Sequence, residues 1–367
     1  MKVTDLTLTM FKWDIPHWRS SGVVAFGGEK QLGVVTIHTD QGVDGHSFLG
    51  SAREGADTFA RQLIDLIKPV VLGRNPLDIG ALWGDMWRLN RFVAPKTIGA
   101  VDVALWDIAG KLAGMPIHRL LGSCKSSMPA YASSVRLPTP EDYVEEALRF
   151  RSEGWTAYKM HPHGVPKEDI AISQAVRKAV GDDMVLMLDS MWAYNYEQAL
   201  KVGRAIEELD YFWYEDPLAE DDIYGYVKLH QKLDIPIMAT EHVPGGVYSM
   251  AQWVHQGATD ILRGDVAVNG GITPLMKIAH LAETFRMKCE IHHGGNSLNN
   301  VANLHVMMAL PNSDYYEFYP ATGANKHGLV ADIEIDGQGN VHAPESPGLG
   351  YEIDWDLVNR DKIQVLR

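Results

Sequence analysis

Two cysteines in 367 residues, Cys124 and Cys289, lie far apart and offer no disulfide framework. A reducing compartment is the default for such a chain. Positive charge is also scarce: 33 lysines and arginines face 47 acidic residues, a formal net charge of -14. Phosphate backbones and anionic membranes are bound through clustered Lys and Arg, so neither is expected as a partner. No apolar run reaches the ~20 residues of a membrane-spanning helix. The opening MKVTDLTLTMFKW alternates like a strand and lacks a long apolar stretch, so no secretory signal and a cytoplasmic location are expected. Neither GxGxxG nor GxxxxGKS occurs, which counts against a doubly wound nucleotide-binding sheet. Internal sequence repeats and low-complexity segments are missing too.

What is present is length and rhythm. A chain of 367 residues suits one large barrel plus a smaller domain better than a single ordinary core. Residues 1 to about 50 read as strands, KVTDLTLTMF and GVVTIHTDQGVDGHSFLG, joined by a long polar and aromatic loop, KWDIPHWRSSGVVAFGG. Helices are predicted over GADTFARQLIDLIKPVVLG, over NPLDIGALWGDMWRLN with Trp83 and Trp87 on one face, and over TIGAVDVALWDIAGKLAGMPIHRLLG with a break at Gly114 to Pro116. Strands followed by helices indicate an α+β domain over residues 1–125. From about Ser127 strand and helix alternate strictly, beginning with MPAYASSV and including a helix capped by Asn195, which favours a parallel barrel over residues 126–320. Residues 321–367 read as a turn-rich strand pair that returns to the first domain.

Single polar residues recur at the ends of the apolar runs: Lys159 and His161, Asp189, Glu215, Glu241, Asp265, His292 and Glu317. Successive members lie 24 to 30 residues apart, close to the ~30 residues of one strand-helix unit in a barrel. Barrel enzymes place their chemistry at the C-terminal ends of the strands, so these side chains are expected to share one mouth. Asp189, Glu215 and Glu241 fall on consecutive strands. Three adjacent carboxylates repel unless a cation lies among them, and hard oxygen donors select Mg²⁺. Such an ion can hold the enediolate formed when a proton leaves the carbon next to a carboxylate. Lys159 and His161 share a strand face, and Asp265 can orient His292 as a base opposite them. Taken singly, each acid is better read as a strand-end ion pair and each histidine as a satisfied core residue; the matched spacing favours a site. Glu317 has two readings, a protonated donor to a developing oxyanion or a strand-end ion pair.

Together these residues resemble the enolase superfamily, within it the mandelate racemase subgroup. TIGAVDVALWDIAGKLAGMPIHRLLG, YEDP, ATEH, GDVAVNGGIT and EIHHGGNSLNN carry the likeness, which covers almost the whole chain. The resemblance implies an α/β fold, a modified TIM barrel of (β/α)7β type beneath an α+β N-terminal capping domain completed by the C-terminal segment. It implies Asp189, Glu215 and Glu241 as Mg²⁺ ligands, Asp265 and His292 as a catalytic dyad and Glu317 as an oxyanion partner. A capping loop at Trp13 to Gly28 and a second near Gly45 to Gly50 would close over substrate, with Trp13, His17, Met191 and His293 as substrate contacts. His293 points away from the face of His292, and the adjacency leaves the choice between them open. The chain departs from the family's K-x-K in having Lys159-Met160-His161, so that His161 is either a base or a substrate contact. Met191 stands where polar groups often meet hydroxylated substrates. The expected activity is Mg²⁺-dependent dehydration of a sugar acid to a 2-keto-3-deoxy acid. Racemase, epimerase or lactone cycloisomerase chemistry is the alternative, and a non-catalytic sugar-acid binder a more distant one. A homo-oligomer is expected, an octamer among its forms.

Overall fold

Alternation in the first fifty residues builds a sheet with two working faces. In a computed structural model, which describes residues 1–20, 24–293, 295–320 and 326–367 and side chains other than those of 16–20 and 24–27, β1 (Val3–Ser20), β2 (Val24–Thr39) and β3 (Gly45–Leu49) form an antiparallel sheet. Leu6, Leu8 and Met10 pack with Val35 and Ile37 into the core of the N-terminal domain. Phe11, Trp13 and Ile15 pack into the main core, which continues into the barrel. The segment expected as a loop is therefore largely strand: Trp13, Asp14 and Ile15 pair with Lys30, Glu29 and Gly28, and Trp18 with Phe26. Antiparallel pairing satisfies the backbone polar groups that a loop would leave to water.

The helical part of this domain also differs in detail from the periodicity. The first predicted helix is a short 3-10 turn at Ala56–Thr58, a π-helical stretch at Gln62–Ile67 and an α-helical turn at Lys68–Val71. Pro69 has no N–H to give and crowds the preceding turn, which accounts for the irregular hydrogen bonding upstream. Trp83 and Trp87, on the helix Ile79–Trp87, stack with centroids 5.1 Å apart. The long helix Pro95–Ala113 ends at Gly114, whose φ of +63° closes the helix in the left-handed conformation. Strand β3 lies so close to this helix that a Cβ on Gly45 would stand 2.1 Å from the carbonyl oxygen of Ala104.

Eight parallel strands then form the barrel: β4 (Ser127–Ser133), β5 (Ala157–Met160), β6 (Val185–Asp189), β7 (Tyr214–Glu215), β8 (Ile237–Ala239), β9 (Ile261–Gly264), β10 (Lys288–Ile291) and β11 (Tyr316–Phe318). They are paired in chain order from β4 to β10, with β11 beside β4. Among the described residues, each of the first seven is followed by a helix and β11 is not, which is a (β/α)7β arrangement. No ladder joins β10 to β11 among the described residues; Cys289 N donates to Asn312 O at 2.9 Å and His293 N to a Glu317 carboxylate oxygen at 3.2 Å across that seam. β12 (Asn340–His342) pairs with β4, and β13 (Lys362–Leu366) pairs with β1, so the last segment touches both the barrel and the N-terminal sheet. A helix, Trp355–Arg360, separates the two strands. Among the described residues, no helix is long and apolar enough to cross a membrane.

Candidate active site

The barrel interior changes character along its axis, and strand parity explains where. Tyr131, Ala157, Met187, Trp213, Met238 and Ile261 form an apolar layer. Side chains two residues further on point the same way one layer higher: Ser133, Lys159, Asp189, Glu215, Thr240 and Arg263. The same step carries Tyr315 to Glu317 and Glu290 to His292. Glu241 breaks the parity. Its predecessor Thr240 has φ +90°, an uncommon conformation for a β-branched residue, and the Thr240 hydroxyl takes over the strand contact by bonding Arg263 N at 3.0 Å and Arg263 O at 3.1 Å. Met191 (φ +48°), Trp192 (φ +62°) and Asp216 (φ +45°) carry similar strain just beyond Asp189 and Glu215. Four of the six described non-glycine residues with positive φ thus lie next to the three carboxylates in sequence.

All eight strand-end residues singled out from the sequence converge. Lys159, fully buried, lies 2.8 Å from Glu215, 2.8 Å from Glu317 and 3.5 Å from Asp189. Burial and Arg263 work against its charge, but Glu215 and Glu317 outweigh them and raise its pKa well above that of a free lysine. It is a fixed cation. His161 has Nδ1 at 2.7 Å from the Ser134 carbonyl and Nε2 at 2.9 Å from an Asp189 oxygen. A carbonyl faces one ring nitrogen and a carboxylate the other, so both nitrogens of His161 are engaged by protein oxygens.

On the far side, His292 Nδ1 is 2.7 Å from Asp265 Oδ2, while Asp265 Oδ1 accepts from Ala267 N at 2.7 Å. Asn303 holds the pair by donating to the His292 carbonyl at 2.8 Å. Burial disfavours the imidazolium, yet Glu241 and the bond to Asp265 raise the His292 pKa above its ordinary value. This is the geometry of an oriented acid-base histidine, with Nε2 free of any protein hydrogen bond in the structure's described contacts.

Arg263 is a site residue that nothing in the sequence marks out: it sits inside the apolar run ILRGD, although its place two residues before Asp265 puts both on one face. It is 1% exposed, and its Nε lies 2.6 Å from Glu215 and 3.9 Å from Glu241 while Nη2 lies 2.5 Å from Glu317. Of the two readings of Glu317, the structure favours the ion pair. Burial alone would raise its carboxyl, but Lys159 and Arg263 hold it well below the usual carboxylate range, so it accepts hydrogen bonds rather than donating one.

The other expected contacts fare differently. Trp13 is buried and stacked on His327 at 5.6 Å, packed in the core rather than presented at the mouth. The side chain of His17 lies outside the described residues. The Gly45 to Gly50 loop is largely strand β3, seated on the helix Pro95–Ala113. His293 is buried, bonds Glu317 through both its backbone N and its Nδ1, and is pushed down to about 4 by burial. Met191 N donates to Asp189 Oδ1 at 2.9 Å. Beside it Trp192, missed from the sequence, is 42% exposed and donates Nε1–H to Asp216 Oδ2 at 3.1 Å. Its left-handed backbone is the reason it projects, and no sequence signal announces that conformation in a residue other than Gly or Asn.

As the carboxylates stand, no three acidic, His or Cys side chains among the described residues surround a metal-sized position. Each is turned to a basic side chain: Asp189 to His161, Glu215 to Lys159 and Arg263, Glu241 to His242 at 2.9 Å. The donor set nevertheless fits a hard divalent ion. All three are buried oxygen donors at neighbouring strand ends, Asp189 and Glu215 are register partners, and Glu215 Oε1 has no aligned hydrogen-bond donor.

Two family models cover the chain. Residues 142–357 match the enolase C-terminal domain-like family and residues 6–122 the mandelate racemase / muconate lactonizing enzyme N-terminal domain. The chain belongs to the mandelate racemase subgroup of the enolase superfamily. Among members of this superfamily, an arabinonate dehydratase of Saccharolobus solfataricus is 31% identical over 78% of this chain and 79% of its own length. A 3,6-anhydro-alpha-L-galactonate cycloisomerase of Streptomyces coelicolor is 29% identical over 90% of this chain and 91% of its own. The crystal structure of a D-glucarate dehydratase from Agrobacterium tumefaciens, complexed with magnesium, superposes with a TM-score of 0.90 at 32% identity, covering 99% of this chain and 100% of that one. Superfamily members of this kind thus carry out more than one reaction.

Proposed function

We propose that this superfamily member is a Mg²⁺-dependent sugar-acid dehydratase that removes the proton next to a carboxylate and eliminates water to give a 2-keto-3-deoxy acid. The observation that carries the reading is the His292–Asp265 dyad, 2.7 Å apart, facing the Lys159 and His161 strand across the carboxylate cluster. Asp189, Glu215 and Glu241 would hold the ion, which supplies positive charge against the substrate carboxylate as the proton leaves. Lys159 adds a fixed charge for the same carboxylate. His161 or His292 takes the α-proton, and His292, once protonated and held by Asp265, returns a proton to the departing β-hydroxyl so that it leaves as water. The resulting enol then ketonises.

The presence of a ring nitrogen on each side of the cluster also suits racemisation, in which one side removes the proton and the other returns it. The two readings separate in D₂O. Sugar acids and their lactones are incubated with Mg²⁺ and followed by NMR; a 2-keto-3-deoxy acid is the expected product. Recovery of only α-deuterated substrate or its epimer would overturn the dehydratase reading. Glu215→Gln is expected to abolish turnover and weaken Mg²⁺ binding while the far-UV spectrum is retained. Full turnover in excess EDTA would overturn the metal.

A further inference from the structure

The polar layer of the barrel contains a closed ring of alternating charge. Lys159 meets Glu215 at 2.8 Å, Glu215 meets Arg263 at 2.6 Å, Arg263 meets Glu317 at 2.5 Å, and Glu317 returns to Lys159 at 2.8 Å. Two acids and two bases cancel. All four side chains are essentially without solvent exposure, so water does little to screen them from what binds above. Arginine is rarely buried to this extent unless paired. Here the pairing is unusual in one respect: Arg263 Nε and Glu215 Oε1 are in contact but not aligned as donor and acceptor, and Nε and Nη1 have no hydrogen-bond partner among the described residues. A guanidinium seated for its bonds would show them aligned, because its fork geometry is rigid. What the contact with Glu215 supplies is charge.

We propose that Arg263 is a positioning residue whose charge sets how tightly the carboxylate cluster holds its metal ion. The inference rests on the metal reading given above and assigns a role to a residue outside the ligand set. With Arg263 present the ring is neutral, and the ion would be held by Asp189 and Glu241 together with a Glu215 whose charge is already shared. Without it the ring, which includes Glu215, would carry one net negative charge. Unit charges a few ångströms apart in a protein interior interact strongly enough that removing this cation should tighten Mg²⁺ binding by about tenfold or more. The benefit of the resident cation lies with the substrate: an anionic sugar acid approaches a mouth that is less negative by one charge.

The test is calorimetric titration of Mg²⁺ into the whole protein and three variants, with no substrate present. Arg263→Met is expected to bind Mg²⁺ about tenfold or more tightly, Glu317→Gln to bind it correspondingly more weakly, and the double variant to return toward the parent because the ring is again neutral. Arg263→Lys keeps the charge and should stay near the parent. A merely structural role predicts a different order, with both single variants weakened and the double variant worst. Either that order, or Arg263→Lys behaving as Arg263→Met, would overturn the inference while leaving the metal reading standing. Absence of Mg²⁺ binding in the parent protein would overturn both. If Arg263→Met does not fold, Glu317→Gln and Arg263→Lys still decide the question, because a Glu317→Gln protein that binds Mg²⁺ as tightly as the parent contradicts charge control.

Discussion

At the scale of single residues the two histidines divide the chemistry by what holds them. His292 has a carboxylate on one nitrogen and, among the described residues, no hydrogen-bond partner on the other, whereas His161 is engaged at both. His292→Asn should therefore lower kcat by ~10² to 10⁴, the usual range for loss of a general acid or base, and, if the proposed dehydration is the reaction, should also suppress the keto product in D₂O. His161→Asn distinguishes its two roles. A base would show the same loss in kcat, while a substrate contact would raise KM with kcat little changed. The expected result is loss in kcat, because Ser134 fixes the ring against the cluster and Asp189 alone occupies the working nitrogen; a pure KM effect in steady-state kinetics would remove His161 from the acid-base pair.

At the scale of elements, function depends on how closely the N-terminal domain is seated on the barrel. Trp83 Nε1 donates to Gly270 O at 2.9 Å, and Thr273 N donates to Asp102 at 2.9 Å, so helices of the first domain hold the loop that follows Asp265. Strand β3 rests on the helix Pro95–Ala113 with no room at Gly45 for a side chain. The obstruction is backbone, which cannot rotate aside. Gly45→Ala should then destabilise the protein by about 1–3 kcal/mol, the range for overpacking, read as a lower midpoint in urea denaturation. An unchanged midpoint would mean that β3 lifts from the helix without loss. Because the strained residues Thr240 and Asp216 sit within the barrel and not in this contact, the variant should keep Mg²⁺ binding once folded.

At the scale of the whole molecule, three segments meet at a pair of histidines. His118, on the helix Ile117–Leu121, stacks on His305 of the helix Ser297–Met308 at 5.6 Å, and their ring nitrogens bond the carbonyls of Pro344 and Leu349 in the C-terminal segment. Burial pushes the His305 pKa down to about 3. A folded value below the unfolded one means that the unfolded chain takes up the proton first. Stability from neutral His305 is thus complete above the ordinary histidine pKa of ~6.5 and is lost as pH falls from there toward about 3. Between pH 6.5 and 4.5 the parent should lose up to about 1 kcal/mol per pH unit from this group. His305→Gln should be less stable at pH 7.5 but show a shallower decline, measured by urea denaturation at several pH values. Parallel declines in parent and variant would show that the pair does not titrate with unfolding.

Much of this was legible in the chain because it depends on local period. Runs such as VLMLD and AYKM, spaced by helix-length segments, make parallel strands followed by helices, and a strand's two-residue repeat puts Lys159 with His161 on one side whatever surrounds them. Strand-end position likewise follows from order along the chain, which is how Asp189, Glu215, Glu241, Asp265, His292 and Glu317 were found. The capping hairpin was not readable, since pairing between residues such as Trp13 and Lys30 depends on a partner strand that composition does not specify. Nor was Arg263, whose parity was available but whose burial depends on counter-charges from β7 and β11, strands 48 and 54 residues away in sequence. The ionised state of Glu317 follows from the same convergence. Sequence by itself determined which side chains reach the mouth of the barrel, because a strand carries its direction with it; only the tertiary structure decided their charges and partners, because a buried ion takes its state from groups that the fold, not the chain, brings within a few ångströms.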